Sequence, residues 1–281
     1  MNTKKILLII LITIVIAISV VFIFYLGRKV FNAPELAGQQ LPDTDAAEEA
    51  EALLRPVSDE SEEDFYKGLF IKDINPDNTK KVQFERGLKI IDLKTNKVLQ
   101  AVKINLEDVN VAWVKPDEVF IIEKPSILIP SSIWSYNLKN KNLDYIFQNE
   151  PGLMANWSKD GNLVLKFNGE LSLINNKTGQ VIGLPFITLP NKCAFSNNNE
   201  EKIYCAVPKT MPSNTALPDD YLKNKFYSED QIISLTVNPT KSQIILSQTG
   251  DQKLDAVNLM VINDDLYFTN RYDNKVYKID L

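Results

Sequence analysis

The sequence predicts an all-β domain built from five repeated units of four short strands, carried behind an N-terminal membrane helix and an acidic stalk. Three observations lead there. One hairpin pattern recurs about every 40 residues, and a second, aromatic-marked hairpin recurs at the same period between its copies. No stretch after residue 66 carries the apolar spacing of a long amphipathic helix.

The first hairpin reads LKIIDLKTNKVLQ (88–100), IWSYNLKNKNLDY (133–145), LSLINNKTGQVIG (171–183) and IISLTVNPTKSQI (232–244), with VYKIDL (276–281) cut off by the chain end. Superposed, Asp92, Asn137, Asn175, Thr236 and Asp280 coincide, at spacings of 45, 38, 61 and 44 residues. The second is VAWVKPDEVFII (111–122), ANWSKDGNLVLK (155–166) and AFSNNNEEKIYC (194–205), in which Trp113, Trp157 and Phe195 lie 44 and 38 apart. Two hairpins per period make four strands per unit, the size of a β-propeller blade. The predicted blades are 66–104, 109–148, 153–184, 192–247 and 256–281. The last lacks its outermost strand, and Leu53–Val57 (LLRPV) is expected to supply it; Pro56 is tolerable there because an outer edge needs fewer donors. The 61-residue spacing marks an insertion at 209–230.

In blade three Trp157 is followed by Ser158-Lys159-Asp160-Gly161, then an apolar strand and the LSLINNKTG hairpin. This resembles the blade of bacterial TolB-like and WD-repeat-like β-propellers, with Asn175 where that pattern has Asp. The tether, the LRPVS segment (54–58) and LPDDY (217–221) look like a class of membrane-anchored bacterial propellers. The resemblance spans about residues 50–281 and implies the fold; propellers serve so many purposes that it implies little about activity.

Ile6–Leu26 is 21 residues without a charge, Pro, Gly, Asn or Gln. A helix of that length crosses roughly 30 Å of hydrocarbon. A cleaved signal peptide would have a shorter apolar core and a small-residue cleavage site, so an uncleaved anchor is expected. Lys4 and Lys5 precede the run and Arg28 and Lys29 close it, so the positive-inside balance is nearly even. A short unfolded N-terminal tail favours a cytoplasmic N-terminus and an exported domain. The expected division is 1–30 anchor, 31–52 stalk and 53–281 propeller domain. Residues 43–64 hold ten acids against one base, Arg55, whereas 65–281 hold 26 bases and 25 acids. The acidity therefore belongs to the stalk, and the neutral domain gives no ground for nucleic-acid binding.

Histidine is absent, which removes Ser-His-Asp and Cys-His catalysis and His-ligated zinc together. Two cysteines cannot make a Cys₄ site, and no cofactor is expected. Pairing Ser196 with Lys202 across the turn sets Cys193 opposite Cys205, within disulfide reach and pointing to an oxidising, extracytoplasmic compartment. Buried free thiols are the competing reading. Among carboxylates, only Asp108 and Asp255, at starts of innermost strands, are placed to face a central channel. Trp113 and Trp157 are expected in the core between blades, and the sequons at Asn156 and Asn176 as chance. The insertion carries Leu217, Pro218, Asp219, Asp220 and Tyr221, then Phe226 and Tyr227, on a loop the blade does not need. Two readings stand: a partner site, or a segment folded back as a cap. The expected function is a non-enzymatic, membrane-anchored extracytoplasmic scaffold for an unknown protein or cell-envelope ligand, held in the bilayer by Ile6–Leu26. The alternative is a glycan-acting hydrolase using carboxylates.

Overall fold

A computed structural model of the chain describes residues 55–56, 79–85, 87–106, 109–197, 202–237, 241–247, 253–262 and 264–281. All of them belong to the compact unit Thr44–Leu281. The predicted anchor Ile6–Leu26, the acidic stalk at 31–52 and Asp108 lie outside these residues. Among the described residues no helix is long and apolar enough to cross a membrane.

The described chain forms five antiparallel sheets. The first contains β2 (Lys80–Phe84), β3 (Leu88–Asp92) and β4 (Val98–Val102). The second contains β5 (Val109–Lys115), β6 (Glu118–Glu123), β7 (Ser131–Asn137) and β8 (Leu143–Glu150). The third contains β9 (Met154–Trp157), β10 (Leu163–Phe167), β11 (Leu171–Asn175) and β12 (Val181–Gly183). The fourth contains β13 (Cys193–Phe195), β14 (Lys202–Pro208), β15 (Asp230–Thr236) and β16 (Lys241–Ser247). The fifth is β17 (Ala256–Ile262), β18 (Asp265–Asn270), β19 (Lys275–Asp280) and β1 (Arg55–Pro56), in that spatial order. β1 runs antiparallel to β19, with Arg55 opposite Lys278 and Pro56 opposite Tyr277. Arg55 and Pro56, from the strand expected at Leu53–Val57, thus lie at the outer edge of the last sheet, and Leu53, Leu54 and Val57 lie outside the described residues. Among the described residues the one helix longer than a 3₁₀ turn is the four-residue α1 (Asp219–Leu222).

The second, third and fourth sheets each bury both faces, one against the sheet before and one against the sheet after. On β6, Val119 and Ile121 join Trp113 against Val82, Leu88 and Ile90 of the first sheet. The alternate residue Phe120 joins Ala112 and Ile133 against Leu153 and Trp157 of the third. Fourth-sheet residues Phe195, Ile203 and Cys205 meet Leu163, Leu165 and Phe167, while Ala194, Tyr204 and Ala206 face Ala256, Leu266 and Phe268 of the fifth. This two-sided packing explains why the strands read as nearly unbroken apolar runs. It also makes helices unnecessary as cover, and it is the stacking of a β-propeller. Trp113 and Trp157 do sit between sheets, the latter edge-on to Phe120 with ring centroids 4.7 Å apart.

The repeated Asp/Asn position has a local cause. Asp92 Oδ1 accepts from the Thr95 N–H at 2.6 Å, Asn137 Oδ1 from that of Lys139 at 2.9 Å, and Asn175 Oδ1 from that of Lys177 at 2.9 Å. Four residues later the backbone is left-handed each time, at Asn96 (φ 54°), Lys141 (64°) and Gly179 (73°). A short side chain that hydrogen-bonds its own turn is what this third-to-fourth-strand hairpin requires.

In such a meander, first and third strands start at one end of the sheets, here termed the upper end. Third-to-fourth-strand turns lie at the lower end.

Candidate functional site

The insertion joins β14 to β15 as residues 209–229, with Asp230 already in the strand. It crosses the upper end. Near its middle Asp219 is buried and reaches the second sheet, accepting from the Ile127 N–H at 2.6 Å and the Ser126 hydroxyl at 3.1 Å. Lys223 pairs with the same carboxylate at 3.0 Å. Burial works to raise the Asp219 pKa, but the Ile127 N–H, Lys223 and Ser126 hold it below its ordinary value. Asp220 closes a tight local loop, accepting from the Ala216 N–H at 2.8 Å and from Lys225 at 2.6 Å.

The next residue, Tyr221, anchors the insertion in a buried ionic cluster between the fourth and fifth sheets. A 3₁₀ turn, Pro190–Lys192, directs Lys192 inward just before β13. Its ammonium lies 2.7 Å from Asp230 and 2.6 Å from Asp255, with side-chain exposures of 2%, 0% and 0%. It also donates to the Tyr221 hydroxyl at 2.9 Å and the Ser228 hydroxyl at 3.0 Å. Tyr221 in turn donates a hydrogen bond to Asp255 Oδ1. Arg271, between β18 and β19, pairs with Asp255 Oδ2 at 2.9 Å. Its guanidinium lies 4.0 Å from the Tyr221 ring centre and 4.6 Å from that of Tyr227. Tyr227 leans on Tyr272 with ring centroids 5.3 Å apart.

Two carboxylates thus flank one ammonium, and their surroundings drive them apart. For Asp255, burial favours the neutral acid, but Lys192, Tyr221 and Arg271 overcome it and lower the pKa. For Asp230, burial wins and the pKa rises. Asp230 Oδ1 makes no hydrogen bond among the described residues, whereas Oδ2 binds Lys192 and the Ala256 N–H. Burial would lower the Lys192 pKa, but Asp230, Tyr221 and Asp255 raise it above its ordinary value. Burial also pushes the Tyr221 phenol up to about 12. A cavity beside the cluster, lined by Lys192, Tyr221, Phe226 and Met211 among others, is ≈ 10 Å³, room for about one water. This chemistry fastens a loop.

The expected site residues therefore separate. Pro218, Asp219 and Tyr221 are buried, and Leu217 and Phe226 pack onto the core. Asp220 is half-buried and tied locally; Tyr227 is the member left substantially exposed, at 46%. Most of the insertion is thus a fastened cap, and Tyr227 with Tyr272 forms its exposed edge. Asp255, placed by sequence beside a channel, is fully buried and committed to Lys192, Tyr221, Ser228 and Arg271. Lys192, Asp230, Ser228, Arg271 and Tyr272 went unnoticed in sequence, being scattered over 80 positions. One signal was available: Asp230 and Asp255 both stand at the upper start of apolar strands, where a charge needs a partner.

Beside the cluster, Cys193 faces Cys205 in the predicted register, and the two form a buried disulfide with Cα atoms 4.1 Å apart. Asn156, of the first sequon, donates to the Cys193 carbonyl at 3.0 Å, binding the third sheet to the fourth.

No protein-family model matches this chain, and no curated protein sequence does. Among solved structures it is similar to the tricorn protease, at 13% identity and a TM-score of 0.46, covering 70% of this chain and 18% of that one. It is also similar to TolB from Acinetobacter baumannii, at 14% identity and a TM-score of 0.42, covering 74% and 53%. The chain thus spans about half of TolB and less than a fifth of the protease. Both likenesses are loose, and the sheets and their packing carry the fold.

Proposed function

We propose that this chain is a five-bladed β-propeller anchored by Ile6–Leu26 in the cytoplasmic membrane, exported, and used as a non-enzymatic scaffold. Its upper end takes a protein or cell-envelope ligand. The observation that carries this reading is the way the insertion is fastened. A buried cluster at Tyr221 and a second fastening at Asp219 hold it across three sheets, a degree of preorganisation that favours recognition. Around the fastenings, large side chains face water: Leu128 is 82% and Ile129 71% exposed, and Tyr227, Tyr272 and Leu222 are exposed as well. Tyrosines beside an arginine are the composition of binding hot spots, and exposed aliphatic residues around them add apolar contact area.

Five sheets, with β1 completing the last, support the five-bladed count. The Cys193–Cys205 disulfide supports export, since oxidising compartments are where structural disulfides persist. Burial of Asp255 within ion pairs favours a scaffold over a carboxylate hydrolase. The test is proximity labelling on intact cells with the wild type and with Leu128→Asp/Ile129→Asp/Tyr227→Ala. A discrete set of labelled neighbours that the variant loses supports the reading; an unchanged set overturns it.

A further inference from the structure

The opposite, lower end carries a different surface. Its last hairpin turns in the first three sheets, the ones with the shared Asp/Asn position, are residues 92–97, 137–142 and 175–180. Together they hold Lys94, Lys97, Lys139, Lys141 and Lys177 against one acid, Asp92. In sequence these lysines are spread over 84 positions inside a neutral domain, and no basic stripe is visible. The repeat collects them, because each occupies the same turn of successive sheets. All five are exposed. Asp92 is occupied by its own turn, accepting from the N–H and hydroxyl of Thr95. Of the five, Lys139 is held in an ion pair, with Asp117 at 2.5 Å. The neighbouring first-to-second-strand turns, with Lys115, Asp117, Glu118, Lys159 and Asp160, together with exposed Asp144 just past the second turn, add about two negative charges and leave the rim basic.

Apolar side chains accompany the lysines. Val98, Leu99, Leu143, Tyr145 and Val181 follow directly on these turns, and Val181 and Tyr145 are 62% and 55% exposed. Bases interleaved with exposed aliphatic and aromatic groups suit the headgroup region of an anionic bilayer, where lysines meet lipid charge and the apolar groups enter the interface. The chain path agrees. β19 runs from the upper to the lower end, and β1 is antiparallel to it, so the chain reaches Arg55 from the lower end.

We infer that the lower rim of the first three sheets docks on the anionic lipid surface of the membrane that anchors the chain. This rests on the anchored reading above. Docking would fix the domain with its upper end, and the fastened insertion, facing away from the bilayer. The contact is salt-sensitive, because exposed charges act over a Debye length of about 8–10 Å. It needs little intrinsic strength, since a tether keeps the rim at high effective concentration near the surface.

The experiment uses the full chain in proteoliposomes, with an environment-sensitive fluorophore at Val98→Cys or, at the other end, Ile129→Cys. The two native cysteines are joined in the disulfide and do not compete for label. The vesicles are phosphatidylcholine alone or mixed with phosphatidylglycerol, each doped with a headgroup-attached spin label. The expected result is several-fold stronger quenching at position 98 in the phosphatidylglycerol mixture. High salt or Lys94→Glu/Lys97→Glu/Lys141→Glu should abolish it, and position 129 should stay unquenched. Equal quenching at both positions, or none at 98 in anionic vesicles, overturns the docking surface while leaving the anchor intact. A chain that fails to float with the vesicles overturns the anchored reading and this inference with it.

Discussion

Asp255 is the residue on which the upper end turns, since it touches Lys192, Tyr221, Ser228 and Arg271 at once. Buried ion pairs contribute little net stability over a well-packed apolar alternative, but removing one partner strands the other. Asp255→Asn leaves Lys192 facing Asp230, whose pKa is already raised, and should cost about 3–5 kcal/mol in chemical denaturation. Tyr221→Phe keeps the ring beneath Arg271 and loses one hydroxyl, so a cost of about 1–2 kcal/mol is expected. The pH profile follows from the signs. Asp160, Asp219 and Asp255 have lowered pKa values, so their contribution is complete above the unfolded value near 3.9 and is lost as pH falls through the lower folded values. Asp230, with its pKa raised, opposes this, gaining stability on protonation. Lys192 is raised, so its contribution holds below about 10.4 and is lost above that. Urea midpoints measured against pH should therefore show a plateau with an acid limb beginning near 4, less steep in Asp255→Asn. An acid limb of wild-type steepness in the variant would remove Asp255 from this account. Little of this cluster was legible in sequence, because Lys192, Tyr221 and Asp255 meet through contacts spanning 29 to 63 residues.

At the scale of elements, the strands were legible because their constraints are local. Periodicity placed the second sheet at 109–148 and the strands run 109–150; the fourth, expected at 192–247, runs 193–247. The Cys193–Cys205 register followed from counting across one turn, which works when a hairpin is regular. The course of the insertion did not, since Asp219 meets Ile127 across 92 residues and no local pattern announces it. Two stability predictions belong here. The disulfide closes a short loop, so Cys193→Ala/Cys205→Ala should cost about 2–3 kcal/mol, read as a lowered denaturation midpoint. For β1, deleting residues 50–58 exposes the outer edge of β19, whereas deleting 35–45 removes only stalk. The first should lower the unfolding temperature or cause aggregation and the second should do neither. Equal melting of the two would mean that the β1–β19 pairing contributes nothing to stability.

For the whole molecule, the proposed function divides the work between the two ends of the sheets. The upper end holds a preorganised apolar and aromatic surface, and the lower end of the first three sheets a basic rim. The arrangement is useful only if the domain stands outside the cytoplasmic membrane on its tether, so topology is the central claim. Ile6–Leu26 argues for the anchor and the disulfide for an oxidising side, while the balanced flanking charges, Lys4 and Lys5 against Arg28 and Lys29, leave orientation to be measured. The most direct measurement is protease added to intact cells stripped to their cytoplasmic membrane. The account predicts cleavage within the acidic stalk and release of a soluble, disulfide-containing fragment that begins near residue 50. Full protection of the chain, with cleavage appearing only after the membrane is permeabilised, would contradict it.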